Sequence, residues 1–242
     1  MKKVFISSMI IVSLFFMSSC EDVLKLYPPD GLVKDEFWQT KEDVEAVLMA
    51  AYKSFSQLDS RLFYYGELRA DMLEDGGNLG PAHRNIMDSN IYPSNNWASW
   101  NSFYSVVNNC NLVLKYAPEV LEIDPTFTEY KFNTFNAEAV FLRSLAYFYL
   151  VRIWKDVPLV LTAYDSDSQD FFFFFTEGTV VLDTLKVQLN GILKFAPEDH
   201  ETLQRTRGRA TSGAVNALLA DIALWEFNYQ DCIDYVSKVD QS

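Results

Sequence analysis

An all-α fold with long irregular loops is what this 242-residue sequence predicts. Three observations predict it. Apolar residues recur at helical spacing in successive stretches, cap and breaker residues stand at their ends, and the last two stretches alternate large and small residues as paired helices do. The first stretch, Lys41–Leu58, carries Val44, Val47, Leu48, Ala51, Tyr52 and Phe55 on one stripe, with Thr40 as cap and Asp43 completing a capping box. Residues 59–96 read as irregular, broken at Gly76-Gly77, Gly80-Pro81 and Pro93, with a possible helical piece over Leu62–Leu73. A second helix is expected over Trp97–Tyr116, stopping before Pro118.

The third helix, Phe132–Trp154, is apolar nearly all round, with only Glu138, Arg143, Ser144 and Arg152 as sparse polar positions. Such a helix is buried among others, and its arginines make it a poor bilayer span. Asp156-Val157-Pro158-Leu159-Val160 then turns into a short extended run. Further helices are expected over Val180–Phe195, Ala210–Phe227 and Asp231–Val239. In this last pair, Leu219-Ala220, Ala223, Phe227-Asn228-Tyr229 and Cys232-Ile233 follow the large and small spacing of a tetratricopeptide-like helical hairpin. Cys232 takes a slot that wants a small buried residue, while Asn216 and Phe227 stand off-pattern where tryptophan and a turn glycine are usual. An ordinary helical bundle is the alternative.

The N-terminus carries a different message. Lys2 and Lys3 precede an apolar run over residues 4–17, then Ser18-Ser19-Cys20 and an acidic pair. This is a secretory signal with a cysteine where bacterial lipoproteins are cut and acylated. The run is shorter than the roughly 20 residues needed to span a bilayer. Residues 1–19 are therefore expected to be a lipoprotein signal peptide, Cys20 the lipidation site, 20–34 a tether and 35–242 a helical domain anchored to the membrane by lipid.

With 33 acidic against 20 basic residues the net charge is −13, so phosphate backbones are repelled and nucleic-acid binding is not expected. His83 and His200 show no metal-ligand spacing with the cysteines, and neither a metal nor another cofactor is expected. Cys110 and Cys232 read as two core thiols more readily than as a disulfide.

Four segments in order resemble the SusD/RagB family of Bacteroidetes outer-membrane nutrient-binding lipoproteins: the lipidated cysteine with Leu24-Lys25-Leu26-Tyr27-Pro28-Pro29, then Glu36–Phe55, Ala137–Leu161 and Gly208–Trp225. The resemblance implies a SusD-like α–α superhelix at the cell surface that captures oligosaccharide or polysaccharide and passes it to a SusC-like TonB-dependent transporter, without catalysis. It also implies departures. Lys155 stands where the family commonly has glycine, Phe171–Phe175 replaces a polar loop, and the family's large C-terminal region is missing after Ser242. A protein-interaction scaffold without a small ligand, and a nonfunctional truncated copy, stay open as alternatives.

Sugar rings need flat aromatic platforms flanked by amides or carboxylates. The densest such mixture is Asn90–Asn101, in which Tyr92, Asn95, Asn96, Trp97 and Trp100 are the candidate ligand-binding residues, the two tryptophans sharing one face at a helix start. Either tryptophan could equally anchor the helix into the core. Tyr64, Tyr65 and Asp71 form a weaker second patch. Glu138 and Arg143 are expected to find carboxylate or backbone partners between repeats rather than form a catalytic pair, and no pair among the 33 acids stands out as a glycosidase dyad. At least two rings of the phenylalanine run should face solvent, a partner or the transporter.

Overall fold

The computed structural model describes residues 37–166, 168–169 and 172–239. The signal, the tether and Cys20 lie outside the described residues. From Trp38 onward the chain forms a single helical unit. Its elements are α1 (Lys41–Ser56), α2 (Asp59–Phe63) running into a π-helical turn (Tyr64–Leu68), α3 (Pro81–Met87), a 3-10 turn (Asn96–Ala98), α4 (Asn101–Ile123) and α5 (Glu129–Trp154). After a pair of two-residue strands, β1 (Val157–Pro158) and β2 (Phe175–Thr176), come α6 (Gly178–Ile192), α7 (Leu203–Gly208), α8 (Ser212–Trp225) and α9 (Tyr229–Val239). No described helix is long and apolar enough to cross a membrane.

The expected capping box starts α1: the Thr40 hydroxyl accepts from the Asp43 N–H, and the Asp43 carboxylate accepts from the Thr40 N–H at 2.8 Å. Two prolines behave differently from their expected roles. Pro118, expected to end the second helix, lies inside α4, which continues to Ile123. It is exposed, so the carbonyl it leaves unbonded one turn back meets water, while buried Tyr116, Ala117 and Val120 hold the helix on the core. Pro81, read as a breaker, occupies the first turn of α3, where its missing N–H costs nothing.

Helix α5 is the spine, packed against α1, α4, α6 and α8. Ala137, Ala139, Leu142, Ala146, Tyr147, Phe148 and Leu150 are all buried, while Phe141, Leu145, Tyr149 and Ile153 form a half-buried stripe along one side. Its fully buried Glu138 accepts two bonds from Arg209, at 2.8 and 2.7 Å, and one from the Tyr52 hydroxyl at 2.7 Å. Arg209 reaches on to Glu45 at 2.8 Å, and the Tyr52 oxygen accepts from the Ala210 N–H. This network ties α1, α5 and the entry to α8 together. Burial and the Glu138 charge push the Tyr52 phenol far up; for Arg209, burial works against the charge and the two carboxylates outweigh it.

Arg143 finds amide oxygens instead of the carboxylate or backbone partner expected: Asn111 at 2.6 Å and Gln188 at 3.0 Å. With no opposite charge in contact, burial lowers its pKa. Cys110 and Cys232 are free thiols. Cys110 is buried, and burial pushes its thiol up to about 12. Cys232 departs from the buried slot expected of it and is half-buried, because no residue of α9 is fully covered among the described residues. Helices α8 and α9 do form the expected hairpin, and Phe227, in the turn-glycine slot, takes the left-handed conformation with φ 60°.

Candidate functional site

Side chains from α4 and α5 reach out to hold the excursion between α5 and α6. Asn108 clamps Tyr164 from both sides, its Nδ2 donating to the carbonyl at 2.9 Å and its Oδ1 accepting from the N–H at 2.7 Å. The Asn111 Nδ2 donates to the Val160 and Thr162 carbonyls, and the Tyr147 hydroxyl donates to the Val160 carbonyl and accepts from its N–H. Tyr104 donates to the Pro158 carbonyl at 2.7 Å. The antiparallel β1–β2 pair closes the base of the excursion. Its residues therefore stand over α4 in a fixed pose.

Between them opens a cleft of about 570 Å³, lined by Trp100, Asn101, Tyr104, Ser105, Tyr164 and Phe173 with the stems of Asn108 and Asn111. The floor is aromatic. Trp100 meets Tyr104, Trp154 and Phe175 at 5.9 to 6.1 Å between ring centroids, and Tyr164 meets Phe173 edge-on at 5.3 Å. The amides of Asn108 and Asn111 are spent on the excursion's backbone and, through the Asn111 Oδ1, on Arg143, which leaves the Asn101 amide and the Ser105 hydroxyl at the rim. Trp100 also borders a second cleft of about 520 Å³, lined by Tyr65, Arg69, Tyr92, Pro93, Ile153 and Trp154. Among the described residues no carboxylate lines either cleft.

The sequence candidates separate here. Trp100 and Tyr92 line clefts, whereas Trp97 and Asn95 are tied into the scaffold. The Asn95 side chain is buried, donates to the Ala82 carbonyl at 2.8 Å and accepts from the Trp97 N–H at 3.0 Å. Trp97 packs edge-on against Tyr64 at 4.6 Å, beside His83 and beneath the Arg61 guanidinium. Its carbonyl accepts from Arg61 and from the Tyr65 hydroxyl. The two tryptophans thus do not share a helix face. Trp97 sits in the 3-10 turn and Trp100 caps α4, so their rings leave the chain in different directions. Asn96 is exposed in the same turn.

Tyr104, Tyr164, Phe173 and Arg69 were not singled out from sequence. Only the phenylalanine run hinted at one of them. Phe172 and Phe174 are 90 % and 92 % exposed while Phe173 turns toward the cleft, the two-residue alternation of extended chain. Phe171 lies outside the described residues.

An aromatic cleft thus stands on one side of a scaffold of helical hairpins. The profile of a SusD-like family described as "Starch-binding associating with outer membrane" matches residues 28–224, and the chain belongs to that family. SusD-like protein P38 of Formosa agariphila is 33 % identical over 172 residues, covering 70 % of this chain and 33 % of that protein. Surface glycan-binding protein A from Bacteroides uniformis superposes with a TM-score of 0.73 at 20 % identity, covering 84 % of this chain and 46 % of that one. A laminarin-binding SusD-like protein superposes with a TM-score of 0.69 at 21 % identity over 84 % and 44 % of the two chains. The chain thus spans a third to just under half the length of these proteins.

Proposed function

We propose that this chain is the N-terminal helical part of a surface lipoprotein that captures a glycan and hands it to a TonB-dependent outer-membrane transporter. The observation that carries the reading is Trp100, an indole shared by two adjoining clefts and flanked by Tyr104 and Tyr92. Sugar rings stack their C–H faces on such platforms, and a wall used by both clefts suits a chain of several rings better than a single one. Family membership supports a carbohydrate ligand, and the relatives named for glycan and laminarin binding share the scaffold.

Glycoside hydrolysis needs two carboxyl groups flanking the scissile bond, and the described lining side chains supply none, which favours capture over cleavage. Cys20 is the proposed acylation site, and acyl chains there would hold the domain at the membrane. The test is affinity electrophoresis and titration calorimetry against a polysaccharide panel. Trp100→Ala is expected to weaken binding about tenfold while leaving helicity intact. Absence of binding to any glycan by the folded chain would defeat the reading. Palmitate-analogue labelling of the wild type but not of Cys20→Ser tests the anchor.

The exposed Phe172 and Phe174 rings favour a second reading, in which this rim touches another envelope protein. Co-purification of a transporter that is lost in Phe172→Ser/Phe174→Ser but kept in Trp100→Ala would separate the two roles.

A further inference from the structure

Beyond the second cleft the surface continues into a third, of about 320 Å³, walled by Tyr65, Arg69, Tyr149, Arg152, Ile153 and Trp225. Tyr65, Arg69 and Ile153 line both. Neighbouring clefts therefore share a wall, Trp100 at one junction and Tyr65 with Arg69 at the other. The first cleft is neutral and aromatic. The third presents two guanidinium groups.

The two arginines are held differently. Arg69 follows the π-helical turn directly, its N–H closing the turn on the Tyr64 carbonyl at 3.1 Å, and the irregular turn sets it at the cleft edge. Its side chain has no ion pair and no hydrogen bond among the described residues. Burial pushes the Tyr65 phenol up, and the charges of Arg61 and Arg69 pull against that rise. Arg152 lies over the rings of Phe148, Tyr149 and Trp225 at 5.2, 5.8 and 5.3 Å. One of its nitrogens donates to half-exposed Asp221 at 3.3 Å, which offsets part of its charge. The rings fix the guanidinium plane and leave its other donors free.

Among the described residues no carboxylate lines this third cleft, Asp221 standing outside it. Two planar, multi-donor cations lining one hollow, with no acid among its described walls, supply the donors that an oxyanion takes up. The chain's net charge of −13 works against an anionic ligand at long range, but at physiological salt charges beyond about 8 Å are largely screened and the local pair decides.

We infer that the adjoining clefts take a glycan bearing an acidic group, a carboxylate or a sulfate ester, seated between Arg69 and Arg152 while neutral rings extend toward Trp100. This inference rests on the glycan-binding reading and goes further in naming the ligand's charge. Uronic acids and sulfated sugars present the same charged oxygens, and the experiment separates them.

The probes are oligosaccharide pairs matched except for charge: homogalacturonan oligomers with free and with methyl-esterified carboxylates, and carrageenan oligomers before and after desulfation. Acid-bearing members of at least one pair are expected to bind about tenfold more tightly than their neutral partners, with the preference shrinking as sodium chloride is raised. Arg69→Gln, an exposed and unpaired position that leaves the fold intact by circular dichroism, is expected to remove most of that preference, and Arg69→Lys to restore part of it. Equal binding of charged and neutral members, or a preference unchanged in Arg69→Gln, overturns the inference. Neutral glycans bound in a Trp100-dependent manner without any acid preference would do so while leaving the glycan-binding reading standing, and binding of no glycan on either arm would sink both.

Discussion

Helix α5 and the 155–177 excursion that follows it are neighbours in sequence and opposites in how they are held. The helix is covered around most of its circumference by apolar side chains and tied to its neighbours by the Glu138–Arg209 pair. The excursion has few buried residues and is positioned by side chains of other elements that reach its backbone: Tyr104, Asn108, Asn111 and Tyr147. The difference separates two tasks. Stability resides in the spine, and the shape of the binding face depends on a small set of directed hydrogen bonds that leave aromatic surface uncovered.

The largest effect should come from breaking the spine's ion pair. Glu138→Ala leaves Arg209 with only half-exposed Glu45 and strips the Tyr52 hydroxyl of its acceptor, and a cost of about 3–5 kcal/mol is expected in urea unfolding. The double replacement Glu138→Leu/Arg209→Met removes both charges and should recover a large part of that loss. A single-mutant cost below about 1 kcal/mol would show that the network is peripheral to the fold.

Asn111→Ala probes the other side. It leaves Arg143 with Gln188 alone and frees the Val160 and Thr162 carbonyls, for an expected cost of about 2 kcal/mol. Amide exchange should speed up over residues 159–165 and stay slow in the middle of α5. Equal acceleration in both would mean that the excursion and the spine open together.

The two tryptophans sharpen the contrast on a single short segment. Trp97→Ala removes packing against Tyr64 and His83 and should lower stability by about 2 kcal/mol, with glycan affinity per folded molecule little changed. Trp100→Ala should do the reverse, weakening affinity about tenfold, equivalent to about 1.4 kcal/mol, for a smaller loss of stability. Loss of affinity in Trp97→Ala with none in Trp100→Ala would invert the assignment.

The spine was legible because periodicity is a local property: the Phe132–Trp154 pattern needs no knowledge of neighbours to read as buried on nearly all sides. Pro118 misled because its tolerance depends on which way it faces, and that is fixed by how Tyr116 and Val120 dock. Pro81 misled because the same residue that stops one helix starts another. At the site, sequence pointed to the segment Asn90–Asn101, part of which lines the two clefts, and treated its tryptophans as a pair. Trp97 belongs to a 3-10 turn capped by Asn95 and Trp100 to the cap of α4, which sends the rings apart. Tyr164 and Phe173 join Trp100 only because β1 and β2 bring the ends of the excursion together, and Arg69 because a π-helical turn swings it to the cleft edge. Such long-range placement leaves no periodic trace.

The smallest expected effect lies at the junction of the two regions. Lys155 ends α5 with φ 68° and ψ −78°, its backbone forming a three-residue turn closed by the Asp156 N–H on the Trp154 carbonyl at 2.9 Å. That conformation suits glycine, the residue the family commonly has there, and costs an ordinary residue about 1–3 kcal/mol. The turn is kept because it sets the start of α6: the Asp156 carboxylate accepts from the Gly178 N–H at 3.0 Å, and a Cβ on Gly178 would lie 2.6 Å from the Lys155 carbonyl oxygen. Lys155→Gly releases the strain but gives the unfolded chain more freedom, which offsets up to about 1 kcal/mol. A net gain of about 1 kcal/mol is expected, read as a rise of roughly 2–4 °C in Tm with glycan affinity unchanged. A fall in Tm would mean that the lysine stem contributes packing at this corner, and that the end of the spine is held by more than its backbone.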